Sequence, residues 1–582
     1  MTKSPFVRIP GEGGAEPVDS GAMRLLVEFG LLPTYVRNGE RCALVDDLRA
    51  LAPLIDILKS RAREVAREHP LLDAGAVGGF PLSAASRLDF TSVPPKMDPA
   101  FCAAMRRILG AEWKGELEAA QAIPYLGDAV LTTRSAASAE MAATQIARVR
   151  DLADSKANVF ANSAYYMGSK RALSGLIVEA AERHSSRDTV FVDLMCGSGV
   201  VAGAAGRSWE CVASDAQVFC RLLAIVQGGG FSRARAERLL ARIMPCARQH
   251  AQDLASRVHG LLSLEDRLFH SDIDDALLQK YRDLSRVLPT FPGTGEHDGW
   301  KPAEVVRLRR SGAERYPYAL FTAYFAGVYF GLRQCVEIDS LRFAIDTVAE
   351  EEERDWALGV LVAALSGAGT TYGAHFAQPP MRGDKDLPLR KVARLLENQA
   401  KSLFHEFAIR LENLAAESER AVRPIRTVPG PWREALNKLR EQCFDRDVLV
   451  YVDAPYRREE YSRYYHVLET AVRYDYPSAI GRGKVPLKSA GGRFASPFFT
   501  RNVHGVEGEL ANIIQQVLAA GWKCIWSYSD AADANIATVI DEVATRTSCQ
   551  IESFAAPYRY RGQGGHNPRA VTEFVVVFSS RT

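Results

Sequence analysis

A chain of 582 residues with 47% hydrophobic side chains is long enough for two to four domains and ordinary in composition for a globular protein. Lys and Arg total 72 against 70 for Asp and Glu, so nothing global pulls the chain towards a polyanion and any nucleic-acid footprint must be local. No apolar run approaches the roughly 20 residues of a membrane span, which excludes a spanning helix.

The start, Met1-Thr2-Lys3-Ser4-Pro5, lacks the apolar core of a secretory signal. Ten cysteines form no C-x-x-C pair, which predicts neither a disulfide framework nor a zinc ribbon, and no metal. Together these features place the chain in a reducing cytoplasm. Local basic stretches occur at Lys59 to Arg67, Lys301 to Arg310, and Tyr558 to Arg569 with its aromatics. Each reads equally as a solvated face.

Residues 1–150 read as a mainly helical N-terminal domain with loops at Gly11 to Gly14 and at Pro94-Pro95. Within it, Leu26 to Pro33, Arg37 to Arg41 and Val45 to Arg49 give helix, break, basic turn and helix. This order resembles the winged-helix start of MerR-type DNA-binding domains, and a helical hairpin fits the same residues.

Residues 151–229 change to strand, glycine loop, helix, strand. Tyr165 to Arg171 precedes an amphipathic helix from Ala172 to Glu182, and the Gly168-Ser169-Lys170 turn offers N–H groups and one ammonium to an anion. Thr189 to Leu194 is a strand, Met195-Cys196-Gly197-Ser198-Gly199 the tight loop after it, and Val200 to Ala205 the start of a helix. Glycines there let the backbone approach a ligand, with loop N–H groups facing it. The next strand, Glu210 to Ser214, ends in Asp215, an acid suited to ribose hydroxyls. Ala202 takes the third-glycine position of a dinucleotide fingerprint, so these residues leave a dinucleotide open.

Residues 230–440 look predominantly helical, broken at Pro289 to Lys301 and at Pro379 to Pro388. Residues 441–582 alternate again: strand 447–452, helix 506–520, strand 522–528, helix 531–544, strand Thr572 to Phe578. The pattern predicts a layered, largely parallel α/β sheet split in sequence by a long helical insertion. The apolar run Val448 to Val452 leads into Asp453-Ala454-Pro455-Tyr456. A carboxylate, a rigid turn and an aromatic face at a strand's C-terminal end can hold a flat heterocycle bearing an amino group; a strand-ending turn with a surface Asp is the commoner use.

Taken in this order, the segments resemble the Dam-like adenine-N6 DNA methyltransferases. That family orders a G-S-K or G-G-K segment, a D/E-x-x-x-G-S-G loop, an acid ending the next strand, a helical target-recognition domain and D-P-P-Y. Here these positions are Gly168 to Lys170, Asp193 to Gly199, Asp215, residues 230–440 and Asp453 to Tyr456. Tyr329 to Gln334 with Glu337 to Asp339, His375 to Gln378, Tyr461 to Thr470, Ser527 to Ser529, and Tyr560-Arg561 through Glu573-Phe574 resemble the larger bacterial branch of that family. The likeness spans residues 160–580 and leaves the first 150 outside it.

The resemblance implies a Rossmann-like class I methyltransferase sheet and S-adenosylmethionine held by Tyr166, Gly168, Lys170, Asp193, Cys196, Gly197, Gly199 and Asp215. It implies catalysis by Asp453, Ala454, Pro455 and Tyr456 on an adenine flipped out of duplex DNA, in restriction-modification or phage defence with a nuclease or other defence partner. Tyr461, Arg463, Tyr465 and His466 are then expected around the base, and Arg333 and Gln334 at base edges. Ala454 departs from the family's proline but keeps the carbonyl. Two alternatives stand: an RNA adenine methyltransferase, and a catalytically weakened DNA-binding subunit of a defence complex. Pro245-Cys246 supplies the dipeptide of a carbon-5 cytosine enzyme, but in a helical stretch, where a structural cysteine is expected.

Overall fold

The computed structural model describes residues 6–8, 34–37, 40–45, 48, 170–171, 173–271, 275–288, 318–371, 376, 389–421, 423–443, 445–456, 461–475, 494–560 and 569–580. Tyr166, Gly168, the stretches Lys59 to Arg67 and Lys301 to Arg310, and the N-terminal helix Leu26 to Pro33 lie outside these residues.

Where a mainly helical N-terminal domain was expected, the described residues form a small antiparallel sheet. Its strands are β1 (Phe6–Arg8), β2 (Tyr35–Arg37) and β3 (Glu40–Leu44), in the order β1-β3-β2. The expected basic turn at Arg37 to Arg41 falls where β2 pairs antiparallel with β3, Arg37 opposite Glu40. Tyr35 packs its ring 5.3 Å from that of Phe574, tying this sheet to the main one.

The rest of the chain opens with α1 (Ser174–His184), β4 (Val190–Asp193), α2 (Val200–Ala205), β5 (Glu210–Asp215) and α3 (Val218–Ile225). A helical series follows: α4 (Arg233–Ser256), α5 (His259–Phe269), α6 (Asp275–Val287), α7 (Leu320–Tyr324), α8 (Leu332–Val348), α9 (Glu351–Ala368), α10 (Leu389–Gln399) and α11 (Leu403–Ser418). The chain then returns as β6 (Ile425–Pro429), α12 (Trp432–Gln442), β7 (Val448–Val452), α13 (Tyr461–Tyr464) and α14 (His466–Arg473). It closes with α15 (Val503–Ala519), β8 (Lys523–Ser529), α16 (Ile536–Arg546), β9 (Cys549–Tyr560) and β10 (Arg569–Ser580).

Seven strands build one sheet in the order β6-β5-β4-β7-β8-β10-β9. The first five are parallel; β10 runs antiparallel to both β8 and β9. Every residue of β4 and β7 is buried, as expected for parallel strands covered on both faces. Val190, Val192, Val448, Val450 and Val452 pack with α12, α15 and α16 on one face; Phe191, Leu449, Tyr451 and Ile525 face α1, α3 and the helical series on the other. Burying each such side chain contributes about 1.5–3 kcal/mol.

Two strands escaped the sequence pattern. β6 lies at an edge with Arg426 and Pro429 exposed, so its alternation is blurred, and it moves the end of the helical series from 440 back to Ser418. β9 is the opposite edge; of the Tyr558 to Arg569 stretch, Tyr558 to Tyr560 end β9 and Arg569 opens β10, and residues 561–568 lie outside the described residues. The helical series shares one hydrophobic core with the sheet: Leu239, Ile345 and Leu361 belong to the same cluster as Phe191 and Tyr451. Among the described residues no helix is long and apolar enough to cross a membrane.

Candidate active site

From β4 the chain winds outward through β5 and β6, then crosses back to β7 and β8. The winding reverses between β4 and β7, and the crevice beyond the carboxyl ends of these two strands is where open α/β sheets bind ligands. Asp193 pairs in register with Ala213 of β5 and Tyr451 of β7. Asp215 and Asp453, each two residues further on, therefore end the flanking strands at one level, about 10 Å apart across β4. Tyr451 also pairs with Ile525, which sets Ser527 beside Asp453, and Ser529 pairs with Glu573. Side chains alternate along strands, so Asp193, Asp215, Asp453, Ser527 and Glu573 all leave the same face of the sheet.

The glycine loop turns through Gly197 (φ +49°) and Gly199 (φ +72°). A side chain at Gly199 would meet the Ala224 backbone of α3, with Ala224 Cβ and N only 2.9 Å away, so both conformation and space demand glycine. The loop amides do not face outward as expected. Cys196 N–H donates to Ser214 O at 2.9 Å, Gly199 N–H to Cys196 O at 2.7 Å, and Gly197 N–H to Asp215 Oδ2 at 3.1 Å. Asp193 Oδ2 accepts from Ala202 N–H at 3.1 Å, capping the first turn of α2. Asp215 Oδ1 accepts from Gln217 N–H at 2.9 Å. Asp215 thus braces the glycine loop through Oδ2 and its own turn through Oδ1, and the expected ribose contact would use their remaining lone pairs. Burial raises the carboxyl pKa of Asp193 and Asp215, and pushes up the Cys196 thiol, a side chain closed in the core.

Asp453 is held differently. Its Oδ1 receives Lys170 Nζ at 2.8 Å and Ser527 Oγ at 3.4 Å; Ser527 is in turn 2.7 Å from Tyr451 Oη. Its Oδ2 accepts no hydrogen bond from any described residue, and the side chain is 20% exposed against 7% for Lys170. Burial raises the Asp453 carboxyl pKa, and the Lys170 ammonium opposes that rise. Ala454 is buried behind it at the strand end.

The ring of Tyr456 has Lys170 Nζ 4.3 Å from its centroid and Tyr528 edge-on at 4.9 Å. Its hydroxyl donates to Glu573 Oε2 at 2.7 Å, and its carbonyl accepts Asp533 N–H at 2.8 Å. Lys170, expected at the cofactor carboxylate, therefore joins Asp453 and Tyr456 instead. Glu573 was not assigned a role from sequence. The signal was an acid opening the apolar run Phe574 to Phe578, the mirror of an acid closing Val448 to Val452.

The expected substrate contacts separate. Tyr461 is half-buried and Arg463 exposed on α13, at the rim. Tyr465 and His466 are core residues: Tyr465 packs 5.6 Å from Phe219, and His466 Nε2 bonds Phe376 O at 2.9 Å. Their place against a base is corrected to a supporting one, because the apolar face of α14 draws them inward. Gln334 is corrected likewise. Its Oε1 accepts Gly331 N–H at 3.1 Å and its Nε2 donates to Asn398 O and Lys401 O, so no polar atom is left for a base edge. Arg333 is 42% exposed, with its guanidinium 5.0 Å over Phe269 and 3.4 Å from Asp266. Cys246 sits mid-helix in α4, away from any strand end.

No protein-family model matches the chain, and no curated protein is similar to it. Among the described residues no group of three or more His, Cys, Asp or Glu side chains is arranged to hold a metal ion.

Proposed function

We propose that this chain is an S-adenosylmethionine-dependent methyltransferase acting on the exocyclic amino group of adenine in DNA. The observation that carries the reading is Asp453 Oδ2, which accepts no hydrogen bond from a described residue and lies at the sheet's switch point, one strand from the glycine loop. A seven-stranded, mostly parallel sheet is compatible with the class I methyltransferase sheet that the sequence resemblance implies.

The carboxylates at the loop support S-adenosylmethionine over a dinucleotide. A dinucleotide's pyrophosphate draws on the N–H donors of the loop and helix start, and two of these, at Gly197 and Ala202, are taken by Asp215 and Asp193. Asp215, which ends β5 at the crevice, suits a cofactor that carries no phosphate. S-adenosylmethionine, when bound, supplies an electrophilic methyl group on a sulfonium; the Gly197–Gly199 turn and Asp215 are the residues that would hold it.

The adenine amine is a poor nucleophile because its lone pair is delocalised into the ring. Asp453 Oδ2 would accept one of its hydrogens and the Ala454 carbonyl the other, drawing the nitrogen towards tetrahedral geometry and freeing its lone pair; as the N–CH3 bond formed the S–CH3 bond would break, sulfur would leave as a neutral thioether, and the surplus amine proton would pass to Asp453. Pro455 restricts Ala454 to extended backbone, so the carbonyl keeps its direction without the family's proline. The Lys170 ammonium, on the other oxygen, favours the ionised form against the effect of burial. Tyr456 offers the aromatic face for a base swung out of the duplex. DNA as the polymer, and a setting in restriction-modification or phage defence, rest on the resemblance.

The test is incubation of the purified chain with methyl-labelled S-adenosylmethionine and either duplex DNA or RNA, followed by nucleoside analysis. Label in N6-methyladenine from DNA is the expected result. Label confined to RNA, or absent from both, contradicts the reading.

A further inference from the structure

We infer that Glu573 is a positioning residue for methyl transfer, acting through Tyr456. The inference rests on the methyltransferase reading and gives a role to a residue of the antiparallel strand β10 to which the family resemblance assigned none.

Tyr456 follows a strand end and has no helix or strand of its own to fix it. Its backbone is pinned by Asp533 N–H at 2.8 Å. Its ring is met at one edge by Tyr528, 4.9 Å away and inclined at 63°. Neither contact stops rotation about the Cα–Cβ bond, which would swing the phenol out of the plane a stacked base requires. The 2.7 Å bond from Tyr456 Oη–H to Glu573 Oε2 does, because it anchors the far end of the ring. Glu573 is itself 5% exposed and set by register against Ser529 and Ala556, so the anchor belongs to the sheet rather than to a loop.

A buried carboxylate without such a partner would be costly, and an apolar residue would serve β10 better. Burial raises the Glu573 carboxyl pKa, while the nearby Lys170 ammonium and the Tyr456 hydroxyl hold it down. One lysine thus lies between two acids: Asp453, which meets the amine, and Glu573, which orients the ring that the base stacks on.

The experiment compares Glu573→Ala, Glu573→Gln, Tyr456→Phe and the double variant Glu573→Ala/Tyr456→Phe. Loss of one orienting hydrogen bond lowers kcat about tenfold in Glu573→Ala and in Tyr456→Phe, with the KM for S-adenosylmethionine changed by less than about twofold. Glutamine keeps an acceptor, so Glu573→Gln returns kcat to within about threefold of wild type. The double variant is no worse than either single one, since both remove the same bond.

A second readout needs no turnover. In protein labelled with 3-fluorotyrosine, the Tyr456 fluorine resonance, assigned by its loss in Tyr456→Phe, is a single narrow line in wild type and Glu573→Gln and broadens in Glu573→Ala. Wild-type kcat in Glu573→Ala, multiplied losses in the double variant, or a fluorine line indifferent to Glu573→Ala overturns the inference. A wild-type chain that transfers no methyl group rejects the methyltransferase reading instead, and the fluorine line then decides alone whether Glu573 orients Tyr456.

Discussion

Buried carboxylates occur in two parts of this molecule and are treated in opposite ways. In the helical series, Glu265 accepts the N–H groups of Leu332 and Arg333 at the start of α8, Glu337 those of Leu403 and Phe404 at the start of α11, and Asp339 those of Phe321 and Thr322 in α7. Each satisfies the orphan donors of a helix N-terminus, and Glu337 and Asp339 accept the Ser402 and Tyr474 hydroxyls besides. At the tip of the sheet Asp193 and Asp215 do the same for the glycine loop, but Asp453 caps nothing. Its partners are side chains, one oxygen is left over, and part of the group is open to solvent. A carboxylate consumed by backbone holds the fold together; one gripped by a lysine through a single oxygen is kept ready for something else.

The largest test of that contrast, short of Asp453 itself, is Lys170→Met. Without the ammonium, burial pushes the Asp453 carboxyl pKa higher still, and a protonated acid no longer accepts the amine hydrogen. Transfer at neutral pH should fall by about 100-fold and recover partly as the pH is raised, in a kcat profile whose acidic limb is displaced upward. A uniform loss at every pH would instead assign Lys170 to packing. In the helical series the effect should be on stability alone. Gln334→Ala leaves Gly331 N–H and two carbonyls without their partner and should cost about 3 kcal/mol in urea unfolding, while any change in DNA sequence preference would restore Gln334 to base reading.

Gly199→Ala sharpens the contrast at the loop. A φ of +72° and the approach of Ala224 predict a loss of about 2 kcal/mol or more, together with weaker S-adenosylmethionine binding by calorimetry. The smallest effect is one of pH. Burial lifts the Asp339 carboxyl to about 6, above its ordinary 3.8. Between these values the native state holds a proton that the unfolded chain has released, so stability falls as pH rises from about 4 to about 6, by roughly 1–2 kcal/mol from this group. Asp339→Asn should flatten that stretch of the curve, whatever it costs overall; an unchanged slope would place the titration elsewhere.

Much of the sheet was legible because its central strands are uninterrupted apolar runs ending in acids. Thr189 to Asp193 and Val448 to Asp453 announce strand and tip together, and their adjacency followed from the order of motifs. The edges were not legible. β6 is half polar, and β9 carries Pro557 and an aromatic, basic end that reads as a surface patch. At the site, sequence named Asp453 and Tyr456 but could not pair Lys170 with them, because an ion pair across 283 positions leaves no local pattern. It placed Tyr465, His466 and Gln334 towards the substrate because their side chains have suitable chemistry; only packing reveals that α14 and the start of α8 turn them inward.

The most direct measurement is methyl transfer by Asp453→Asn beside wild type, with S-adenosylmethionine binding followed on the same samples. Asparagine keeps the size of the side chain and removes the charge that the amine hydrogen meets. The account predicts unchanged cofactor affinity within about twofold and a kcat on DNA lowered by ~10³-fold or more. An asparagine variant that methylates adenine at the wild-type rate would contradict it.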